Sequence, residues 1–420
     1  MVRTITFNKS TIKTYILPNF SLDLGKNQSA ICIQHSAFKN MTCQKHLFSL
    51  GENTHYLNCA TMSPNLKSVE QVGIEGIMRK SQPYNITQET FFETTIPVKE
   101  RFAQLINCPD AERIAIIPSI SYGMATVAKN IKAEAGQEIV MVQEEFPSDV
   151  YAWEEVCAEK KLKIRTVAAP ETFENRGKIW NERLLESISA KTCMVVISPT
   201  HWADGTLFNL VAISKRCKEV GAMFAIDGTQ SVGALPIDIQ EVKPDSLINA
   251  GYKWLLGPYS SSVGYFGEYF DEGKPLERNW INRVGSEEFR NLVNYQTAFR
   301  PKADRYNMGE RSNFVLNPML AESLRQLLDW SVPAIQEYCR NLMQEPIKLL
   351  QEKGYLIENE KFRSHHLFGI RVPKGVEIAQ IQAKLKERNV FVSFRGNAIR
   401  VSPHLYNDAN DVDRLMEALL

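Results

Sequence analysis

Ala222-Met223-Phe224-Ala225-Ile226-Asp227-Gly228-Thr229-Gln230-Ser231-Val232-Gly233 is an apolar run that ends in a carboxylate and passes at once into a turn of small and polar residues. Continuous apolar character suits a strand buried on both faces, the usual state in a parallel sheet. Six comparable runs surround it, at residues 113–117, 138–142, 162–167, 193–198, 246–250 and 262–266. Between them, residues 122–133, 151–160, 180–188 and 210–220 carry charge on one face and Leu, Ile, Val or Ala on the other, the period of amphipathic helices. This alternation predicts an α/β fold with a mostly parallel seven-stranded sheet sandwiched by helices. In such sheets functional groups gather at the carboxyl ends of the strands.

Beyond residue 295 the rhythm changes. A long helical stretch over 317–353, interrupted near Pro333, leads to a strand at 367–372, a helix at 377–388, strands at 390–394 and 398–402, and a last helix from Asp408. We read three parts: an N-terminal extension over 1–54, whose first 40 residues show little periodicity; a large domain over 55–295; and a smaller C-terminal α/β domain over 296–420.

The chain has 420 residues with 49 basic and 48 acidic side chains, so no charged field draws it to nucleic acid or anionic lipid. No segment is apolar for long enough to span a bilayer, and the first ten residues lack the apolar core of a signal peptide. The eight cysteines include no C-x-x-C pair and fit reduced thiols in a cytoplasmic protein. His55 with Cys59, and the His365-His366 pair, fall short of a zinc ligand set.

Lys253 lies in Ala250-Gly251-Tyr252-Lys253-Trp254-Leu255-Leu256-Gly257-Pro258, the turn that follows the strand at 246–250. Most lysines are exposed, but Tyr252, Trp254 and Leu255 would bury this amine and lower its pKa, as a Schiff-base lysine requires. Asp227 at the end of one strand and Lys253 after the next suit a site that grips a pyridine ring and its aldehyde, which points to pyridoxal 5'-phosphate (PLP). Ser119 and Ser121, between the strand at 113–117 and the following helix, would place hydroxyls and free amides where a phosphate can bind. A serine there also serves simply as an N-cap.

Asp227-x-x-Gln230, the Lys253 turn and Ala398-Ile399-Arg400-Val401-Ser402-Pro403-His404-Leu405-Tyr406-Asn407 together resemble the class V aminotransferase family of fold-type I PLP-dependent enzymes. The resemblance runs over about residues 55–420, and its nearest branch is that of the isopenicillin epimerases and uncharacterised aminotransferases. It implies that Lys253 forms the internal aldimine and shuttles protons at the substrate Cα, while Asp227 holds the pyridine nitrogen and Gln230 the ring hydroxyl or Schiff-base side. It also implies that Phe146 stacks on the cofactor, that Ser121 and Tyr122 bind the phosphate through their amides, that Tyr252 bonds the phosphate where many relatives have His, and that Arg400 grips the substrate carboxylate. His201 falls on the loop that in relatives touches the ring oxygen or the substrate.

By the same resemblance the protein is a homodimer with shared active sites, to which residues 280–283 and 308–312 contribute. The substrate is a small amino acid or amine-bearing metabolite, with a 2-oxo acid as acceptor in transamination. Epimerisation and Cα–Cβ or C–S lyase chemistry are the family alternatives, and a non-catalytic PLP-binding protein is a further one. Residues 390–399 contain no cysteine, where the desulfurases and selenocysteine lyases of the family carry a nucleophile.

Overall fold

A computed structural model describes residues 41–420; of the extension read over residues 1–54, residues 1–40 lie outside the described residues. Strands β1 (His55–Tyr56), β2 (Ile114–Ile117), β3 (Glu138–Val142), β4 (Lys163–Val167), β5 (Thr192–Ile197), β6 (Met223–Asp227), β7 (Ser246–Ala250), β8 (Ser262–Phe266), β9 (Phe368–Arg371), β10 (Val390–Phe391), β11 (Ser393–Arg395) and β12 (Ala398–Val401) make three sheets. The largest has seven strands in the order β2-β8-β7-β6-β5-β3-β4. The pairs from β7 through β6, β5 and β3 to β4 are parallel, whereas β8 runs antiparallel to both β7 and β2. Because β8 is reversed, it begins where its neighbours end.

The sheet is two-faced as its apolar strands require. Ile114, Ile116, Val140, Val195, Ile197, Phe224 and Ile226 join one core cluster, while Ala115, Ile117, Ile139, Met194, Val196 and Ala225 join the other. The helix Ile120–Asn130 starts at Ser119, whose hydroxyl accepts the Tyr122 N–H at 3.2 Å, and it rests on the sheet at Gly123. A Cβ there would come within 2.4 Å of Ile248, so any larger residue would lift the helix start away from the strand ends. Gly221, at φ 74°, ends the helix Leu210–Val220 in the left-handed conformation that glycine adopts without steric cost.

The C-terminal region has a core of its own around Phe368, Ile370, Ile399, Val401 and Leu415. The strand expected over 390–394 divides in two. Val390–Phe391 pair in parallel with His55–Tyr56, and Ser393–Arg395 pair antiparallel with β12, so the backbone serves two partners and cannot stay straight. The long helical stretch is likewise two helices, Leu316–Trp330 and Val332–Glu352, parted at Ser331, whose hydroxyl caps the second. Among the described residues no helix is long and apolar enough to cross a membrane.

Candidate active site

A cavity of about 260 Å³ opens at the carboxyl edge of the large sheet. Ser119 and Ser121 reach it from the end of β2, Phe146 from the turn after β3, Trp202 from the loop after β5, Asp227 and Gln230 from the end of β6, and Tyr252 and Lys253 from the turn after β7. The reversal of β8 adds Ser260 and Ser262 to the same edge. Seven residues singled out from the sequence, Ser119, Ser121, Phe146, Asp227, Gln230, Tyr252 and Lys253, thus line one space.

Lys253 is 7% exposed, and among the described residues no carboxylate forms an ion pair with it. Its Nζ stands 5.5 Å from the ring centroid of Phe146 and 5.5 Å from that of Tyr252. Burial pushes its pKa down to about 8; Asp227 opposes the shift, and the Arg400 and Arg395 charges add to it. Roughly a tenth of this amine is therefore unprotonated at neutral pH, far more than of an ordinary lysine near ~10.4. In cofactor-free protein, acylation of Lys253 followed by mass spectrometry is expected to reach half its plateau rate near pH 8, with surface lysines following well above; a Lys253 profile that tracks the surface lysines would contradict the burial argument.

Asp227 Oδ1 accepts the Thr229 N–H at 2.9 Å, which anchors the carboxylate at the strand end. Gln230 is held at both ends of its amide: Nε2 donates to the Ala60 carbonyl at 3.0 Å, and Oε1 accepts from Trp254 Nε1 at 2.9 Å. Its side chain is thereby presented to the cavity in a single orientation. Phe146 packs edge-on against Trp202, with centroids 5.5 Å apart and an interplanar angle of 81°.

Three of the expected residues stand elsewhere. Tyr122 spends its amide on Ser119 Oγ, and its side chain is not part of the cavity wall. His201 is buried behind the wall: its Nδ1 lies 3.2 Å from Asp204, its Nε2 lies 3.3 Å from the Gln143 carbonyl, and its ring packs on Trp180 at 5.1 Å. Asp204, also ion-paired to Arg176 at 2.9 Å, outweighs burial and raises the His201 pKa. The loop therefore turns Trp202, not His201, toward the cavity.

Arg400 lies next to the cavity without lining it. Its Nη1 donates to the Trp202 carbonyl at 2.9 Å, and its Nη2 donates to Thr61 Oγ1 at 2.8 Å and Ser393 Oγ at 3.1 Å. All three acceptors are neutral, and burial, with Arg395 beside it, pushes this guanidinium down to about 9. Arg395, which sequence reasoning missed, stacks its guanidinium 5.4 Å over the Trp202 ring. Its position five residues before Arg400, across a hairpin, was the available signal.

The donor set fits a phosphorylated pyridine aldehyde. Hydroxyls at a helix start suit a phosphate, Asp227 suits a ring nitrogen, Phe146 offers a flat apolar face, and Lys253 is the amine for an aldehyde.

The profile of the family described as Aminotransferase class-V matches residues 84–415. Among curated proteins the chain is similar to an uncharacterized aminotransferase of Bacillus subtilis, 24% identical over 78% of this chain and 83% of that one. It is also similar to isopenicillin N epimerase of Streptomyces clavuligerus, at 23% over 76% and 82%, and to a cysteine desulfurase of Enterobacter, at 26% over 77% and 80%. Of solved structures, a lysine-to-alanine variant of C-DES with glycine covalently linked to its PLP cofactor superposes with a TM-score of 0.78 at 18% identity, covering 90% of this chain and 99% of that one. The cysteine desulfurase CsdA of Escherichia coli superposes with a TM-score of 0.74 at 18% identity, covering 89% and 96%.

Proposed function

The chain belongs to the aminotransferase class-V family, with pyridoxal 5'-phosphate as its cofactor, and on that premise we propose that it transaminates a small amino acid or amine-bearing metabolite, with a 2-oxo acid as acceptor. The observation that carries this reading is the presence in one cavity of a buried lysine of lowered pKa, Lys253, and a strand-end carboxylate, Asp227. When bound, the cofactor supplies an electron sink for charge that develops at the carbon bearing the amino group. Asp227 would bind the ring nitrogen, the Ser121 amide with the Ser119, Tyr252, Ser260 and Ser262 hydroxyls would surround the phosphate, and Phe146 would cover one ring face. Lys253 would take a proton from the substrate Cα and return one, a task suited to a base with a pKa near the working pH.

Arg400 would hold the substrate α-carboxylate, since a buried guanidinium satisfied only by neutral acceptors is ready for an anion. Arg400→Gln is expected to raise KM for amino acid donors roughly 30- to 100-fold, about 2–3 kcal/mol for a charge-assisted contact. Amines without a carboxylate should be unaffected; an equal loss with both donor classes would remove Arg400 from this role.

Persulfide chemistry has little support. The cysteine absent from residues 390–399 has no substitute in Cys59, which feels the Lys253 charge but is buried, and burial pushes its thiol up to about 12, far from a reactive thiolate. Epimerisation is the second reading, favoured by the similarity to isopenicillin N epimerase. Amino acids incubated with and without a 2-oxo acid separate the two, because only transamination requires the acceptor and only epimerisation yields the opposite enantiomer without it.

We also propose a homodimer in the cytoplasm. Supporting the dimer, Trp280, Val284, Val293 and Tyr295 are exposed along one stretch of chain. A non-catalytic PLP-binding role is disfavoured, because such a module has no use for Arg400 buried beside the cavity.

A further inference from the structure

Asp149 has no place in the chemistry above. It lies in the first turn of the helix Pro147–Lys160, three residues after Phe146, and is fully buried. Neither of its carboxyl oxygens has a hydrogen-bond donor. It nevertheless touches Asp227 at hydrogen-bonding range. Two ionised carboxylates contain no proton with which to make such a bond, so the contact closes only if one of them is an acid. Asp227 is the poorer host for the proton: it already accepts the Thr229 N–H and faces the Lys253 amine. Asp149 has neither.

The helix start would favour an anion at this position, but that preference is small beside the cost of an unpaired buried charge. The backbone N–H that an ionised Asp149 could cap, that of Phe146, is taken by Glu145 Oε1 at 2.9 Å. The charged groups that act on Asp149 are Asp227 from β6, Glu145 from the turn before the helix, and Lys253 from the turn after β7. Burial first, then Asp227 and Glu145, push its pKa well above the ordinary carboxylate range, against Lys253.

We propose that Asp149 is a positioning residue: it remains a neutral carboxylic acid at neutral pH and donates its O–H to Asp227, fixing the carboxylate that meets the cofactor ring in its place in the cavity wall. The inference rests on the reading of Asp227 given above, though the proton on Asp149 belongs to the protein without its cofactor as well.

Asp149→Asn keeps the shape and an N–H donor but cannot titrate, and Asp149→Leu keeps the volume without a donor. In cofactor-free protein the folded state retains a proton that the unfolded chain loses near ~3.9, so Asp149 contributes stability below that pH and loses it as pH rises toward its raised folded pKa. The wild-type melting temperature should therefore fall with pH over that window relative to Asp149→Asn, and a buried-acid carbonyl band in the infrared spectrum should vanish in that variant. With PLP, Asp149→Asn should stay within about 3-fold of wild type in cofactor Kd and turnover, while Asp149→Leu should lose about 10- to 100-fold in both, the usual scale for a group that orients a ligand.

Parallel melting curves for wild type and Asp149→Asn, with no band lost, would overturn the proposal, as would an Asp149→Asn variant as impaired as Asp149→Leu. Should Asp149→Leu fail to fold, the melting curves and infrared band of the other two proteins decide alone. A wild-type protein that binds no PLP would defeat the functional reading and leave the proton on Asp149 to the same two measurements.

Discussion

Lys253→Ala is expected to abolish turnover, with a loss of at least about 10³-fold, because on the proposed function the variant removes both the amine that would meet the cofactor aldehyde and the base at the substrate Cα. The fold should survive. Lys253 is buried without an ion pair, so its removal takes away a desolvated amine whose charge the site already disfavours. Borohydride treatment of the wild-type protein with PLP should attach the cofactor to the peptide carrying residue 253, and the variant should show no such adduct. A variant that turns over at the wild-type rate, or a cofactor trapped on another lysine, would end the assignment of Lys253.

Asp227→Ala should cost nearly as much, on the order of 10²- to 10³-fold in kcat, the range seen when one preorganised electrostatic partner of a transition state is removed. Asp227→Glu, one methylene longer, should recover little, because Oδ1 is anchored to Thr229 N–H at the very end of β6 and a longer side chain cannot keep both that bond and its place in the wall. The two losses differ in kind. Lys253→Ala would remove the proposed proton carrier and leave the proposed ring-binding acid; Asp227→Ala leaves the amine, whose pKa should drop below about 8 because the carboxylate that opposes its desolvation is gone. Repeating the Lys253 acylation profile in Asp227→Ala checks this, and an unchanged midpoint would mean that the two groups do not interact.

Much of the scaffold was legible in the sequence because most strands of the large sheet are apolar, the edge strand Lys163–Val167 being the exception, and their helices are amphipathic. The helix at 210–220 and the strands at 138–142, 246–250 and 262–266 appear with the expected limits. Asp227 and Lys253 were legible because each stands where an apolar run stops, and chain position alone then places both at one edge of a parallel sheet. The strand at 390–394 was read as one piece because its composition says nothing about its two pairing partners.

Other parts of the site have no local signature. An acid in the first turn of a helix reads as a dipole partner in water, so only packing against β6 reveals Asp149 as a buried carboxyl beside Asp227. His201 and Trp202 are adjacent in sequence, and the choice of which one faces the cavity was made by Asp204, Gln143 and Trp180, which hold the imidazole on the far side. Arg400 is supported by Thr61, 339 residues away.

The pattern of apolar runs and punctuating residues by itself determined the α/β class, the sheet edge that carries the cavity, and the lysine–carboxylate pair at it, since these follow from periodicity and chain order. Tertiary structure alone decided the reversal that brings Ser260 and Ser262 to that edge, the side chain that the loop after β5 turns inward, and the burial that lowers the pKa of the Lys253 amine. Desolvation and contact depend on what the rest of the chain packs against a residue, and that is a property of the assembled fold.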